Sequence, residues 1–447
     1  MGEYASLYID GYEVDSWKNS IGEGSYIFAD EDGFQTPRPY HGDDEDEKES
    51  YSEHENSEDN DEGDDSWRGY SYRNTAQNII DRLDIMGFTL DRAREWFEQG
   101  IKEEIERAKK YRDMIEPGDS YDIPLKDPFN PFHPEAIKNL EGYTFEVWSN
   151  LIRDVFEGEL EQIPFNEETD LQTQNPYLYH ILERSGDSRF GFPGYGGMHM
   201  YRAILEIVPP EAPVILDFSS LWGYVDPEQY ICNPPSMVIM TEGSSDKRIL
   251  EGTLGILYPH LKPYYSFIDF DLANMPGSTG HLLNIVKAFV ATGVQHRTIA
   301  IFDNDSAGHD ALRQLANVPL PDSINAIALP HLPLATHYPT IGPQGHIETD
   351  INGLACSLEL YLGRDVLEDD TGKLTPVQWG GMMQGVRRYQ GEILNKMAIQ
   401  NKYFQLLSDV SSKPELMHAH DWSGMRLVFQ SIFDLFKNQP VFQYDLR

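Results

Sequence analysis

Two short runs of unbroken apolar residues stand apart from the alternating and helical patterns around them. Met237 to Thr241 (MVIMT) and Thr298 to Phe302 (TIAIF) are continuous enough for strands buried on both faces, as in a parallel sheet. Each leads through a turn into an amphipathic helical pattern, Asp246 to Leu257 after the first and His309 to Leu315 after the second. Ser244 or Ser245 is the expected N-cap of the first of these helices. Strand patterns near 264–270 and 324–329 and a helical pattern near 281–292 extend the alternation. Strands alternating with helices predict a parallel sheet joined by right-handed crossovers.

Ahead of this region the periodicity is different. Residues 4–17, YASLYIDGYEVDSW, read as a β-hairpin, because Asp10-Gly11 is a type I′ turn signal between aromatic and β-branched runs. From Thr75 to Met114 the pattern is helical, with Ile79, Leu83, Ile85, Met86, Leu90, Phe97, Ile101 and Ile105 supplying an apolar stripe and Gly87 as the expected break. A Pro-rich connection precedes another helix around Glu135 to Phe156, which turns Phe145, Trp148, Leu151, Ile152 and Val155 inward. Gly191 to Gly197, GFPGYGG, lacks the Gly-Lys-Ser/Thr ending of a phosphate loop and reads as a plain loop. Leu216 to Pro235 reads as a connector, 330–346 as a surface loop holding His331, His337 and His346, and Leu374 to Arg447 as helical. The resulting division is an α+β region over 1–215, a connector over 216–235, an α/β region over 236–365 and a helical region over 366–447.

Composition narrows the possible functions. With 35 basic and 74 acidic residues the formal charge is −39, which repels nucleic acid at long range and counts against a general coat protein. The segment 41–65 is acidic and of low complexity, with too little apolar surface to order itself. Cys232 and Cys356 have no metal-ligand spacing, so inert thiols of a reduced cytosolic chain are expected. No apolar run of membrane-spanning length and no basic-then-apolar leader occurs, so a soluble, unexported, cytoplasmic protein without membrane contact is expected.

Chemistry concentrates where the two buried strands end. In open α/β sheets ligands gather outside the carboxyl ends of the strands, and Glu242, Asp303 and Asp305 all fall there. Carboxylates crowded on one rim repel one another, and a hard divalent cation such as Mg²⁺ or Mn²⁺ offsets that cost. Asp303 and Asp305 alternate along an extended segment, so a local turn must converge them; the small Ala307-Gly308 permits one. Asp269 and Asp271 end another strand pattern at the same rim, where a helix-capping or solvated role is as good a reading as metal support. Farther on, Arg387, Arg388, Lys396 and Lys402 against Glu392 make a locally basic helix, which reads either as surface charge that keeps the helix soluble or as a face that contacts a phosphodiester backbone.

The TEGSSD and FDNDSAG stretches resemble the Toprim domain of bacterial primases, topoisomerases, M5-type ribonucleases and OLD-family nucleases. The second is close to the primase form and the first, with Asp246 after Glu242, is similar to the OLD-like form. The resemblance implies a Rossmann-like Toprim fold, metal ligation by Glu242, Asp246, Asp303 and Asp305, and a general acid or base role for Glu242. It also implies an acid after the fourth strand that holds a second metal, for which Glu359 is the choice. The opening GEYASLYIDGYEVDSWKNSI, with the helices after it, resembles the HEPN/Toprim-associated domain found ahead of Toprim modules in bacterial conflict proteins. Arg189 and His199 are too far apart for a HEPN ribonuclease pair, so no catalysis is assigned to that half.

The leading expectation is therefore a Mg²⁺-dependent endonuclease acting on DNA or RNA in defence against phage or plasmids. A partner protein of such a system and a homo-oligomer both stay open. A primase-like nucleotidyltransferase is the enzymatic alternative, although no Cys/His cluster supplies the zinc module a primase brings. A non-catalytic sensor that binds a nucleotide or partner protein is the alternative from another class. No G-x-G-x-x-G follows either strand, which excludes a dinucleotide-binding Rossmann domain.

Overall fold

The computed structural model describes residues 3–37, 68–114, 128–158, 163–164, 170–184, 189–194, 196–221, 236–269, 277–383 and 386–437. The acidic segment 41–65, Cys232, Asp271 and most of the expected connector lie outside the described residues. The chain forms one compact unit within 1–234 and another within 235–440. Among the described residues no helix is long and apolar enough to cross a membrane.

The first unit is built on an antiparallel sheet. Strands β1 (Tyr4–Ile9), β2 (Tyr12–Lys18), β3 (Gly33–Pro37), β4 (Arg68–Thr75) and β5 (Pro213–Asp217) lie in the order β2-β1-β5-β4-β3. Asp10 and Gly11 both adopt positive φ, 48° and 85°, as a two-residue type I′ hairpin requires. The central strand β5 runs to Asp217, two residues past the expected end of the region at 215, and buries Val214 and Leu216. The long helical stretch breaks at Gly87, whose left-handed φ of 95° caps α1 (Ala76–Met86) before α2 (Leu90–Met114) begins. The expected helix over 135–156 is divided at Tyr143 into α3 (Ala136–Gly142) and α4 (Phe145–Gly158). Phe97 of α2 meets Phe145 and Trp148 of α4 at ring distances of 5.6 and 5.8 Å, and the Trp148 indole donates to the Phe190 carbonyl at 2.9 Å. Helix α5 (Gly197–Leu205) completes this core and is buried along its whole length.

The second unit contains a parallel sheet. Strands β6 (Met237–Met240), β7 (Tyr265–Phe267), β8 (Thr298–Phe302) and β10 (Ile324–Ala328) lie in the order β10-β8-β6-β7, while β9 (Asn304–Asp305) pairs elsewhere. Strand β8 is buried at every position, as its unbroken apolar run predicts. From β6 the chain crosses to β7 on one side, and from β8 it crosses to β10 on the other, so the connections diverge between β6 and β8. Right-handed crossovers then put the two following helices on opposite faces. Helix α6 (Ser244–Leu257) packs against α9 (Lys396–Ser412), with the Arg248 guanidinium 4.3 Å from the Phe404 ring. On the other face α7 (Thr279–Thr292) and α8 (Ser306–Leu315) bury Leu282, Val286, Ala311 and Leu315 against Ala300 and Phe302.

Two expectations for this unit are corrected. The stretch 330–346 is not a plain loop: it enters a hairpin of β11 (Tyr338–Gly342) and β12 (Gly345–Thr349). Nor is everything after 366 helical, because β14 (Val377–Met383) and β15 (Arg388–Ile393) form a second hairpin. The short β13 (Ala355–Cys356) lies between them in sequence and pairs with β9. The hairpins join through β11 and β14 into a sheet of order β12-β11-β14-β15. Glycine explains the second correction: Gly380, Gly381 and Gly391 weaken a helix by about 1 kcal/mol each relative to alanine, and a bulge between Trp379 and Met382 accommodates the first two. Helix resumes in α9 and α10 (Ser423–Phe433).

Candidate functional site

The divergence between β6 and β8 opens a crevice at their carboxyl ends, the ligand position in sheets of this kind. After β6 the chain passes Thr241 and Glu242 and enters α6 with Gly243 as its N-cap, so Ser244 and Ser245 lie inside the helix rather than capping it. Glu242 reaches across to the next strand end: its Oε1 accepts from the Asp303 amide at 3.0 Å, and its Oε2 accepts from Thr279 Oγ1 at 2.6 Å. Thr279 opens α7, so three chain segments meet at one carboxylate.

Asp303 ends β8. Its Oδ1 accepts from the Leu358 amide at 3.0 Å, which draws the short turn Leu358–Tyr361 against the strand end. Asp305 is the N-cap of α8, with Oδ1 accepting from the Gly308 amide at 2.7 Å and Oδ2 from Gln390 Nε2 at 3.0 Å. The turn between the two aspartates is allowed by the missing side chain at Gly308, where a Cβ would stand 2.1 Å from the Asp303 carbonyl oxygen. Steric room, and not a left-handed backbone, is what glycine supplies there.

Glu359, on the turn that Asp303 holds, is fully buried. Its Oε2 accepts from Ser357 Oγ at 2.6 Å, its Oε1 from Gln400 Nε2 at 2.7 Å, and Lys396 Nζ stands 3.1 Å from the same Oε1. Lys396 begins α9 and, with Glu242, Thr279, Asp303, Asp305 and Ser357, lines a cleft of about 1090 Å³. Glu359 thus acts as the buried counter-ion of a cleft lysine.

The electrostatics follow from this crowding. Burial raises Asp303 well above the ordinary carboxylate range, and the charges of Glu242, Asp246, Glu359 and Asp305 add to it. Asp246 is pushed up to about 7 by burial and by Glu359, against the pull of Lys396. Burial also raises Glu242, with the hydrogen bonds from Thr279 and Asp303 opposing, and raises Asp305, with the Gly308 and Ala307 amides opposing. Burial by itself would lower the Lys396 ammonium, but the field of Glu359, Asp303 and Asp246 holds it above its usual value. Five acids against one lysine is an excess of desolvated negative charge, the condition that a hard cation with oxygen ligands relieves. The donor set fits such an ion in its chemistry. Among the described residues, however, no three His, Cys, Asp or Glu side chains are arranged to hold one as they stand. Glu242, Asp303 and Asp305 each give oxygen lone pairs to protein donors instead.

The expected basic face is not one helix face. Arg387 and Arg388 belong to the β14–β15 hairpin, Lys396 faces the cleft, and Lys402 Nζ donates to the carbonyls of Asp365, Val366 and Glu368 at 2.6, 3.2 and 3.1 Å. Asp269 pairs with Lys247 at 2.6 Å. In the first unit His199 is stacked on Trp96 at 4.7 Å, and burial pushes it down to about 4, an inert packing role.

The family model described as HEPN/Toprim N-terminal domain 1 matches residues 1–234. The chain belongs to that family. No curated protein and no solved structure matches it. In this member of the HEPN/Toprim N-terminal domain family the matched stretch spans the first unit, and the acidic cleft lies after it. Three cleft groups, Thr279, Ser357 and Gln390, and the Glu359 partner Gln400 escape a reading of strand ends alone. Thr279 was within reach, since a helix that follows β7 must start at the same rim. The other three arrive by long-range packing that no local pattern encodes.

Proposed function

We propose that this chain hydrolyses phosphodiester bonds of nucleic acid through a Toprim-type site that uses Mg²⁺ or Mn²⁺, as an effector in bacterial defence. The observation that carries the reading is the Glu242 carboxylate accepting from the Asp303 amide at 3.0 Å, which joins the acids that follow two neighbouring parallel strands beside Lys396 in one cleft. Asp303, Asp305 and Asp246 would hold the metal with Glu242, and Glu359 would orient Lys396. When bound, the ion supplies Lewis acidity that lowers the pKa of water and neutralises charge building on the phosphate. Glu242, held above the ordinary carboxylate range by burial, is suited to carry a proton at Oε1 or Oε2 and so to act as general acid or base. The Lys396 ammonium, kept charged by the surrounding acids, attracts a non-bridging phosphate oxygen into the cleft.

The test is a cleavage assay on labelled single- and double-stranded DNA and RNA with Mg²⁺, Mn²⁺ or EDTA. Metal-dependent cleavage that disappears in Glu242→Gln and Asp303→Asn supports the reading. Cleavage that persists in either variant, or occurs equally in EDTA, removes it. The unconverged carboxylates favour one other reading, a non-catalytic sensor that recognises a nucleotide or protein with the same cleft. Calorimetric titration of Mg²⁺ into the protein separates the two, since the sensor predicts no metal binding.

A further inference from the structure

Beside the acidic cleft, the second sheet of this unit carries a separate pocket of about 560 Å³, with largely apolar walls from Gly342, Ile347, Leu354, Trp379, Arg388 and Tyr389. Trp379 and Gly380 line both the pocket and the cleft, so the two are adjacent. The connection is firm on the other strand too. Tyr389 accepts through its carbonyl from Ser306 Oγ at 3.0 Å, and the next residue, Gln390, donates to Asp305 at 3.0 Å. Strand β15 therefore ties the pocket directly to the acid that caps α8.

The chemistry of the walls is specific. The Trp379 indole rests against the end of β11, where a Cβ on Gly342 would stand 3.2 Å from its Cδ1, and a Cβ on Gly381 would meet nothing within 4 Å. Tyr389 is 59% exposed, and Arg388 is exposed next to it with one guanidinium nitrogen donating to the Gly353 carbonyl at 3.4 Å. Aromatic faces with a neighbouring guanidinium are the platform on which unpaired bases stack while the backbone is held by charge. In a chain of net charge −39, an exposed arginine at the mouth of such a pocket complements a phosphate.

We propose that this pocket receives an unpaired nucleobase next to the phosphate held in the acidic cleft, so the substrate is single-stranded nucleic acid. This rests on the phosphodiesterase reading and specifies its substrate. A base inside a duplex cannot enter the pocket without unpairing and leaving its stack, so a single strand binds at lower cost.

The test measures binding of a short labelled single-stranded oligonucleotide and its duplex to the full chain by fluorescence anisotropy, in Ca²⁺ instead of Mg²⁺. Tyr389→Ala, a change at an exposed side chain, lowers single-strand affinity roughly tenfold, whereas Tyr389→Phe and Trp379→Phe retain it. Replacing one nucleotide by an abasic residue lowers wild-type affinity by a similar factor and leaves Tyr389→Ala unaffected. If Tyr389→Ala binds and is blind to strandedness just as the wild type is, the pocket holds no base and the proposal falls while the nuclease reading stands. If the wild type binds neither strand form, both fall together.

Discussion

Buried charge is handled in opposite ways by the two units. In the first, Arg82 and Asp32 are paired with side-chain exposures of 2% and 8%, and Arg202 Nε meets Asp84 at 2.8 Å. Arg82 and Arg202 each have an acid of their own. In the second, Glu242, Asp246, Asp303, Asp305 and Glu359 share Lys396, and burial, reinforced by mutual repulsion at Glu242, Asp246 and Asp303, displaces four of these carboxyl groups, all but Glu359, toward their neutral form. Balanced pairs hold a fold together; an excess of one sign costs stability and persists where chemistry requires it.

Substitutions can break this contrast. The largest effect is expected on cleavage, where Glu242→Gln lowers the rate by roughly 10²–10⁴-fold, the usual contribution of a positioned acid or base. Next, Arg82→Met in the first unit leaves Asp32 buried without its partner and costs about 3–5 kcal/mol, read by chemical denaturation. Asp303→Asn in the second unit removes one of several repelling charges, and in EDTA leaves stability unchanged or raises it. Equal destabilisation by the two changes would erase the distinction between the units. Gly308→Ala forces a methyl against the Asp303 carbonyl and costs about 1–3 kcal/mol, with a loss of cleavage because the turn that sets Asp303 against Asp305 must open.

A smaller effect appears in the pH dependence, and its sign differs between the units. His199 falls from 6.5 to about 4 on folding, so below pH 6.5 the unfolded chain binds the extra proton and the His199 contribution to stability is lost as pH drops through that window. Asp246 rises from 3.8 to about 7, so between those values the folded chain binds the extra proton and stability falls as pH rises. Thermal melts in EDTA therefore have one slope flattened by His199→Gln and the opposite slope flattened by Asp246→Asn.

Much of the second unit's layout is legible in the sequence because its signals are local. The apolar runs of β6 and β8 announce strands buried on both faces, and the acids directly after them sit at the rim by sheet geometry alone. Asp10-Gly11 and Gly87 are equally local, since each demands a backbone conformation that few residues accept. The β14–β15 hairpin is hidden because Gly380 and Gly381 interrupt the two-residue alternation at a bulge, leaving only scattered basic residues that imitate a helix face. Glu359 is named by resemblance, but its burial is hidden for another reason: it depends on the Leu358 amide meeting Asp303, a contact 55 residues apart in sequence.

The most direct test of the central claim, that the acid excess in the second unit exists to receive a hard cation, is calorimetric titration of Mn²⁺ or Mg²⁺ into the full chain and its Asp303→Asn variant. Saturable binding to the wild type that is lost in a folded Asp303→Asn protein is the predicted result. Absence of binding to the wild type, or equal binding to both, contradicts it.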